Sequence, residues 1–254
     1  MNLVLQFLFI VSIISFWSTD PARTEEVKSS PIRLQQYKTI YFLTGKPDTK
    51  IQISFKVQLI NNFDLYFAYS QLMMWDVFEP SAPFRDLNYN PDLFYRFFIK
   101  KESNRWIDLG IFEHESNGRD GRNSRGWHRT YVLFHSTQTM GGHKILWSIK
   151  SWFPYSYKNS NPDLPKYRGL WEFQVTVSNL LRSFWGENEL NLRLYPGGNS
   201  YLNPVAGGQE ILFISKTKMT AFAPEFLIGF FHGYGENLLD YDKDRLGIRA
   251  GLSF

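Results

Sequence analysis

The chain has 254 residues, of which 43% are hydrophobic, 18% aromatic and 20% charged, and it contains no cysteine. The missing cysteines exclude disulfides, thiolate metal sites and a lipoprotein anchor, and a net charge of +4 spread among acids gives nucleic-acid binding little support. The length suits one all-β domain. The aromatic content suits a membrane barrel with aromatic girdles, and a soluble sandwich with a Trp-rich core is the alternative.

One long apolar run opens the chain, over residues 3–17. Its length suits the core of a signal peptide and is short for a membrane-spanning helix. No basic residue precedes it and no clear cleavage site follows it, so an uncleaved anchor is the alternative. We expect residues 1–20 to be an export signal, residues 21–48 to be a polar extension outside the strand pattern, and residues 49–254 to form a β-barrel.

A period of two begins at Ile51, where apolar and polar residues alternate up to Leu59. This spacing predicts a strand and does not fit an amphipathic helix. After Asn61 and Asn62 a second strand is predicted over residues 64–75. Further strands are predicted over residues 93–99, 144–152, 170–179, 189–195, 209–216, 225–232 and 245–254, with loops at 79–83 and 154–165.

Two more predicted strands flank a polar loop, and residues typical of serine hydrolases lie beside that loop. Side chains two residues apart on a strand share a face, so His114 and Ser116 project side by side. In a hairpin centred near Gly121, His128 falls opposite His114 on the same face. A hydroxyl, an imidazole that takes its proton and a group that orients the imidazole are the parts of a serine nucleophile system.

The same residues allow a zinc site as an alternative, built from His114 and His128 with Glu113 or Glu115. Both glutamates occupy odd positions and should face the opposite side of the strand, which argues against zinc. The other histidines of the chain receive no functional role.

The hairpin resembles the outer-membrane phospholipases A, which are β-barrel serine hydrolases of Gram-negative bacteria. Their motif is H-[DE]-S-N-G-R, a short polar loop and then S-R-x-W-N-R, and it matches residues 114–119 and 124–129. The resemblance covers about residues 63–254. It implies a transmembrane antiparallel up-and-down β-barrel of about 12 strands, for which the residues after 48 suffice. The terminal Phe254 also resembles the assembly signal of such barrels.

The resemblance implies roles for the hairpin residues. Ser116 would be the nucleophile and His114 its base, and Gly118 would offer a backbone N–H to the oxyanion. The family has asparagine where this chain has His128. A neutral imidazole can also accept a hydrogen bond from His114, but a protonated one would oppose protonation of His114, so we expect activity to fall more steeply at acid pH than in an asparagine enzyme.

The resemblance also implies a cofactor and a partner. Calcium (Ca²⁺) would be bound by carbonyl oxygens of Arg119 and Ser124 and by Ser81 of a second subunit. A second calcium site is doubtful, because Ser160 stands where an acid is expected. Gln71 matches a glutamine that bonds across a homodimer interface, and a lumen-facing polar residue is the alternative.

Together these features predict a calcium-dependent phospholipase of the outer membrane, active as a homodimer on membrane phospholipids. A barrel of the same fold that has lost catalysis and acts in structure or transport is the first alternative. A soluble esterase or lipid-binding β protein is the second, and the export run and the terminal Phe254 argue against it.

Overall fold

The computed structural model describes residues 33–100, 104–180, 187–216 and 224–254. The predicted export signal and the first part of the predicted extension lie outside these ranges. The strands within the ranges are β1 Leu34–Gln36, β2 Tyr41–Lys46, β3 Thr49–Ile60, β4 Phe63–Trp75, β5 Phe84–Lys100, β6 Arg105–Ser116, β7 Gly126–Met140, β8 His143–Tyr155, β9 Trp171–Ser178, β10 Glu187–Gly197, β11 Asn203–Lys216, β12 Glu225–Gly233 and β13 Arg245–Ser253.

All neighbouring strands pair antiparallel, and the pairing of β13 with β2 closes the sheet into a barrel. The two short strands β1 and β2 lie along the same side of β3, β1 beside residues 55–57 and β2 beside residues 50–52. They therefore act as one interrupted strand, and the barrel has twelve strands. The predicted fold class and strand number are confirmed.

The prediction that residues 21–48 lie outside the strand pattern is wrong for residues 34–46, which form β1 and β2. Three residues are too few for a strand of period two to stand out in β1. In β2 the chain contains Gly45 and runs into Pro47, both of which are unusual in strands. The barrel wall therefore begins before residue 49.

Along the strands, exposed side chains that are mostly apolar alternate with buried side chains, many of which are small or polar. On β12, Phe226 and Ile228 are exposed, whereas Leu227 and Phe231 are buried. On β3 and β4 the inward Ser54 and Ser70 hydroxyls hydrogen-bond to each other at 2.8 Å. An apolar exterior around a polar interior is the arrangement of a barrel that crosses a bilayer.

Buried charges fill the lumen as paired groups. Arg249, for example, donates to Asp48 Oδ1 at 2.7 Å and to Glu236 Oε1 at 2.7 Å. Because a buried charge without a partner is strongly unfavourable, such pairs are what allows a polar interior. A polar cavity of about 520 Å³ remains among these side chains.

The loop after β8 carries the one α-helix of the described ranges, α1 Leu164–Arg168. The predicted loop over residues 154–165 is confirmed in position, although β8 runs on to Tyr155. No helix in the described part of the chain is long and apolar enough to span a membrane.

Candidate active site

The hairpin of β6 and β7 brings the two predicted histidines together. His114 pairs with His128 across the ladder, and Ser116 pairs with Gly126, as the sequence spacing predicts. The Nδ1 atoms of the two imidazoles lie 3.2 Å apart, which is a hydrogen-bond distance. With Nδ1 of His114 directed at His128, the Nε2 atom is the nitrogen that remains for a second contact.

A β-bulge in β6 lies just before these residues. The register with β7 shifts between Gly110 and Glu113, and the register with β5 shifts at the same place. Ile111 and Phe112 are adjacent in sequence, yet they are 51% and 40% exposed and lie on the same outer face. One extra residue in a strand reverses the alternation of the side chains that follow it.

The bulge decides which way the catalytic candidates point. Asp108 before the bulge is fully buried and faces the lumen. In a regular strand His114 and Ser116 would share its face, because even-numbered residues project to one side. After the bulge Glu113 is the inward residue, at 2% exposure, and His114 and Ser116 lie on the outer face. The site therefore faces outward.

Ser116 occupies the last position of β6 and pairs with Tyr89 on β5. It lies on the same outer face as His114. The structure gives no hydrogen bond between the Ser116 hydroxyl and His114, both of which are described residues. Catalytic hydrogen bonds are commonly loose without substrate and tighten in the reacting complex.

His128 lies between aromatic rings on the outer wall. Its ring stacks on Tyr155 of β8 with centroids 5.3 Å apart and an interplanar angle of 20°, and Phe112 lies at 5.3 Å. These contacts restrict rotation of the imidazole about its side-chain bonds. A fixed imidazole can hold His114 in one orientation.

The two glutamates of the zinc alternative lie on the lumen side. Arg129 Nη2 donates to Glu115 Oε2 at 3.0 Å and lies 2.9 Å from Glu113 Oε1. Lys150 Nζ donates to Glu113 Oε2 at 2.8 Å. The carboxylates that the zinc site would need are thus engaged on the face opposite to His114 and His128.

Asn117 holds the loop that follows Ser116. Its side-chain oxygen accepts a hydrogen bond from the Arg125 backbone N–H at 2.9 Å, and its amide nitrogen donates to the Asn123 carbonyl at 2.9 Å. Its backbone N–H donates to the Arg125 carbonyl at 3.0 Å. One buried side chain therefore closes the loop across its width.

Gly118 has a backbone φ of +61°, a conformation that side chains other than glycine rarely adopt. A Cβ atom at this position would lie 2.9 Å from the ring of Tyr89. The site of the predicted oxyanion donor therefore requires glycine both for its backbone angle and for the close approach of Tyr89.

The predicted calcium residues lie on two loops. A shallow depression is lined by Gly118, Arg119, Asp120 and Asn123. Carbonyl and carboxylate oxygens of this kind fit a hard cation such as calcium.

Ser124 lies at the end of the same loop, and its carbonyl accepts a hydrogen bond from the Arg125 guanidinium at 2.8 Å. A carbonyl oxygen has a second lone pair for a cation, although a guanidinium beside it weakens the attraction. Ser81 lies on the β4–β5 loop, and the Arg119 guanidinium donates to the Arg85 carbonyl at the start of β5.

Two other loops contribute hydrogen bonds beside the hairpin. Asn161 Oδ1 accepts a hydrogen bond from the Gly126 backbone N–H at 2.8 Å. Tyr241, in the loop after β12, donates to Asp163 at the start of α1. Burial, and next the hydrogen bond to Asp163, raise the pKa of Tyr241 well above its ordinary value, so the phenol remains a donor at every physiological pH.

Gln71 follows Ser70, which faces inward, and therefore lies on the outer face of β4. Its side chain is not in the lumen. Tyr69 on the same face donates to Gln71 Oε1 at 3.2 Å. Gln71 pairs with Tyr89, which pairs with Ser116. At about 4.8 Å per strand, Gln71 and Ser116 stand about 10 Å apart in one row.

A family model described as Phospholipase A1 matches residues 10–254. The chain belongs to the phospholipase A1 family. A relative from Neisseria meningitidis is 30% identical over 248 residues, which are 89% of this chain and 59% of the relative, so the chain spans less than two thirds of that protein. The phospholipase A1 of Klebsiella pneumoniae is 29% identical over 82% of this chain and 70% of its own length.

Solved structures of outer-membrane phospholipases share the fold. Outer membrane phospholipase A from Escherichia coli superposes with a TM-score of 0.73 at 23% identity, over 87% of this chain and 98% of that chain. The Salmonella typhi outer membrane phospholipase, a dimer with bound calcium, superposes with a TM-score of 0.72 at 24% identity, over 89% of this chain and 93% of that chain. This member of the phospholipase A1 family therefore has the β-barrel fold of these outer-membrane proteins.

Several residues that position the site lie outside the family motif and were not predicted from the sequence. Phe112 and Tyr155 enclose His128, and Asn90 contacts the backbone of His114 from the lumen. The sequence contains one signal for the bulge. Asp108 and His114 are an even number of positions apart, so a regular strand would place both side chains on one face. An acid that faces the lumen and a histidine that faces outward therefore require an irregularity between them.

Proposed function

We propose that this chain is a calcium-dependent outer-membrane phospholipase that hydrolyses acyl ester bonds of glycerophospholipids and is active as a homodimer. The observation that carries this proposal is the contact of 3.2 Å between His114 Nδ1 and His128 Nδ1, on the outer face that also bears Ser116. A nucleophile, its base and a group that orients the base would thus meet where acyl chains lie. Membership of the phospholipase A1 family supports the same chemistry.

The tautomers follow from this contact. His114 would carry its proton on Nδ1 and donate it to an unprotonated Nδ1 of His128, because two ring nitrogens at this distance share one proton. Nε2 of His114 then has a free lone pair. It would take the proton of Ser116 as the hydroxyl oxygen attacks the acyl carbonyl carbon.

The covalent steps balance on these groups alone. The bond between Ser116 Oγ and the acyl carbon forms, the ester C–O bond breaks, and His114 returns its proton to the leaving lysophospholipid oxygen. Water then gives a proton to His114 and attacks the acyl carbon. The bond between that carbon and Ser116 Oγ breaks as His114 returns the proton to Oγ, which releases the fatty acid and restores Ser116. The Gly118 backbone N–H would stabilise the oxyanion of both steps.

Calcium, when bound by the carbonyl oxygens of Arg119 and Ser124, would supply positive charge near the oxyanion. Ser81 would complete the set from a second subunit. The test is fatty-acid release from phosphatidylcholine in detergent micelles by the refolded protein, with calcium and with EDTA. Release that EDTA abolishes supports the calcium-dependent enzyme. No release by folded protein with calcium would favour the inactive barrel with a structural or transport role.

Gln71 gives a first prediction, about the dimer. Replacing Gln71 with leucine should weaken dimerisation in detergent by about 3- to 20-fold, because a polar hydrogen bond within a membrane contributes on the order of 0.6–1.7 kcal/mol. Sedimentation equilibrium measures the change, and Gln58→Leu, near the turn between β3 and β4, serves as control. Equal dimerisation by wild type and Gln71→Leu would remove Gln71 from the interface.

The pair of histidines gives a second prediction, about pH. As pH falls, protonation of His128 removes the acceptor for His114, and protonation of His114 removes the base, so both imidazoles must be neutral. The acid limb of kcat should therefore approach a slope of about two decades per pH unit in wild type and about one in His128→Asn. Coincident pH–rate profiles of the two proteins across the acid range would contradict this role of His128.

A further inference from the structure

Behind the active site, on the lumen side, the interrupted first strand turns two side chains inward. Between β1 and β2 the backbone is not paired with β3. The Tyr37 and Lys38 side chains extend on the lumen side to β5. Tyr37 donates to Asp92 Oδ2 at 3.0 Å, and Lys38 Nζ donates to Asn90 Oδ1 at 3.2 Å. Both acceptors lie on β5, the strand beside the catalytic strand β6.

The ladder between β5 and β6 has a gap at His114. Tyr89 pairs with Ser116 and Asp92 pairs with Glu113, so Pro91 falls opposite His114. Proline has no backbone N–H and cannot donate to the facing strand. A carbonyl without a donor in a buried position is unfavourable and needs another partner.

Asn90 supplies that partner. Its Nδ2 atom donates to the His114 carbonyl at 2.8 Å, and the residue is 7% exposed. The backbone of His114, one residue beyond the ladder shift and opposite a proline, is thus held toward β5 by a side chain. The carbonyl that Asn90 contacts and the imidazole on the outer face both belong to His114. The hydrogen bond from Asn90 therefore also affects where the imidazole lies.

Lys38 fixes the direction of the Asn90 amide. An ammonium group has only donors, so it can contact Oδ1 but not Nδ2. With Oδ1 facing Lys38, Nδ2 faces the His114 carbonyl at 2.8 Å and, at a longer distance of 3.4 Å, Glu113 Oε1. Asp92 is held in turn by two phenols, since Tyr131 also donates to Asp92 Oδ2, at 2.9 Å.

We propose that Asn90 and Lys38 are positioning residues of the hydrolase site, which act from the lumen on the catalytic histidine on the outer surface. The inference rests on the proposed function. It makes residue 38, near the N-terminal end of the barrel, part of the catalytic apparatus through the chain Lys38, Asn90 and His114. Lys38 lies in the interruption between β1 and β2, which gives this segment a role in the site.

The variants that test this are Asn90→Asp, which keeps the acceptor for Lys38 and loses the donor to His114, and Lys38→Met, which loses the donor to Asn90. Both should lower kcat by about 10- to 100-fold, because a displacement of a catalytic group by about 1 Å can cost that much. KM should stay within about twofold, since neither residue contacts substrate. Lys38→Arg should retain most of the wild-type kcat. Gln174→Ala, at a lumen-lining amide of β9, should leave kcat unchanged.

Ring-labelled histidine spectra provide a readout that does not need activity. His114, assigned from a His114→Asn variant, should shift in folded Asn90→Asp and Lys38→Met, while His232 should not. Unchanged kcat or an unchanged His114 resonance in these folded variants would overturn the inference. If wild type releases no fatty acid but the His114 resonance still moves, the proposed function fails and the positioning role stands.

Discussion

Replacing Ser116 with alanine should lower fatty-acid release by at least about 10³-fold, because the hydroxyl that would form the acyl intermediate is lost. The barrel should remain folded, since the Ser116 hydroxyl makes no hydrogen bond to another described residue and Ser116 ends its strand. The measurement is release from phosphatidylcholine micelles with calcium. Ser148→Ala, at a buried serine of β8 that lines the lumen cavity, is a matched control that should keep its activity.

The combination with His114 makes this prediction sharper. If Ser116 and His114 act as a unit, the double variant Ser116→Ala, His114→Ala should be no slower than Ser116→Ala alone, because effects within one catalytic unit are not additive. Losses that multiply in the double variant would mean that the two side chains act independently. Full activity of Ser116→Ala in folded protein would place the nucleophile elsewhere.

The second large effect concerns stability. Replacing Arg129 with methionine should lower the free energy of unfolding by about 3–5 kcal/mol, because it leaves Glu115 without its cation and removes one of the two cations that pair with buried Glu113. Arg129 lies 2.9 Å from Glu113 Oε1 and 3.0 Å from Glu115 Oε2. Its guanidinium also stacks over Trp127, at 4.0 Å from the ring centroid. The measurement is urea unfolding of the barrel in detergent or lipid vesicles.

Arg122 provides the control for Arg129. It lies exposed in the loop between β6 and β7, and Arg122→Met should change stability by less than about 0.5 kcal/mol. Adding Glu115→Gln to Arg129→Met should recover part of the loss, because the carboxylate that Arg129→Met leaves without a cation is then neutral. Equal stability of the Arg129 and Arg122 variants would show that the ion pairs behind the active site do not hold the barrel wall.

The pairing of His114 with His128 could be predicted from the sequence, because it depends on local alternation and on a short loop between two strands. The barrel class and the strand number came from the family resemblance. Strands β1 and β2 were not predicted. These strands are short, contain Gly45 and are held by long-range pairing with β3 and β13, which no local pattern reveals.

The interior of the site was also beyond prediction from the sequence. Lys38 and Asn90 are 52 residues apart, and their contact depends on barrel closure and on the interruption of the first strand. The roles of Ser116, Gly118 and the calcium residues still rest on the resemblance and remain proposals. Their side chains meet substrate or metal, and neither is a property of the strand pattern.

Because of the bulge at Ile111 and Phe112, one extra residue in β6 determines whether the proposed reaction takes place on the hydrocarbon side or in the aqueous interior of the barrel. Removing one residue there would send His114 and Ser116 from the hydrocarbon side into the aqueous interior, and Glu113 and Glu115 the opposite way. A one-residue gap in an alignment of this strand is therefore not a neutral length change. For relatives of this chain, it would separate proteins with access to lipid tails from proteins without it, even where every motif residue is retained.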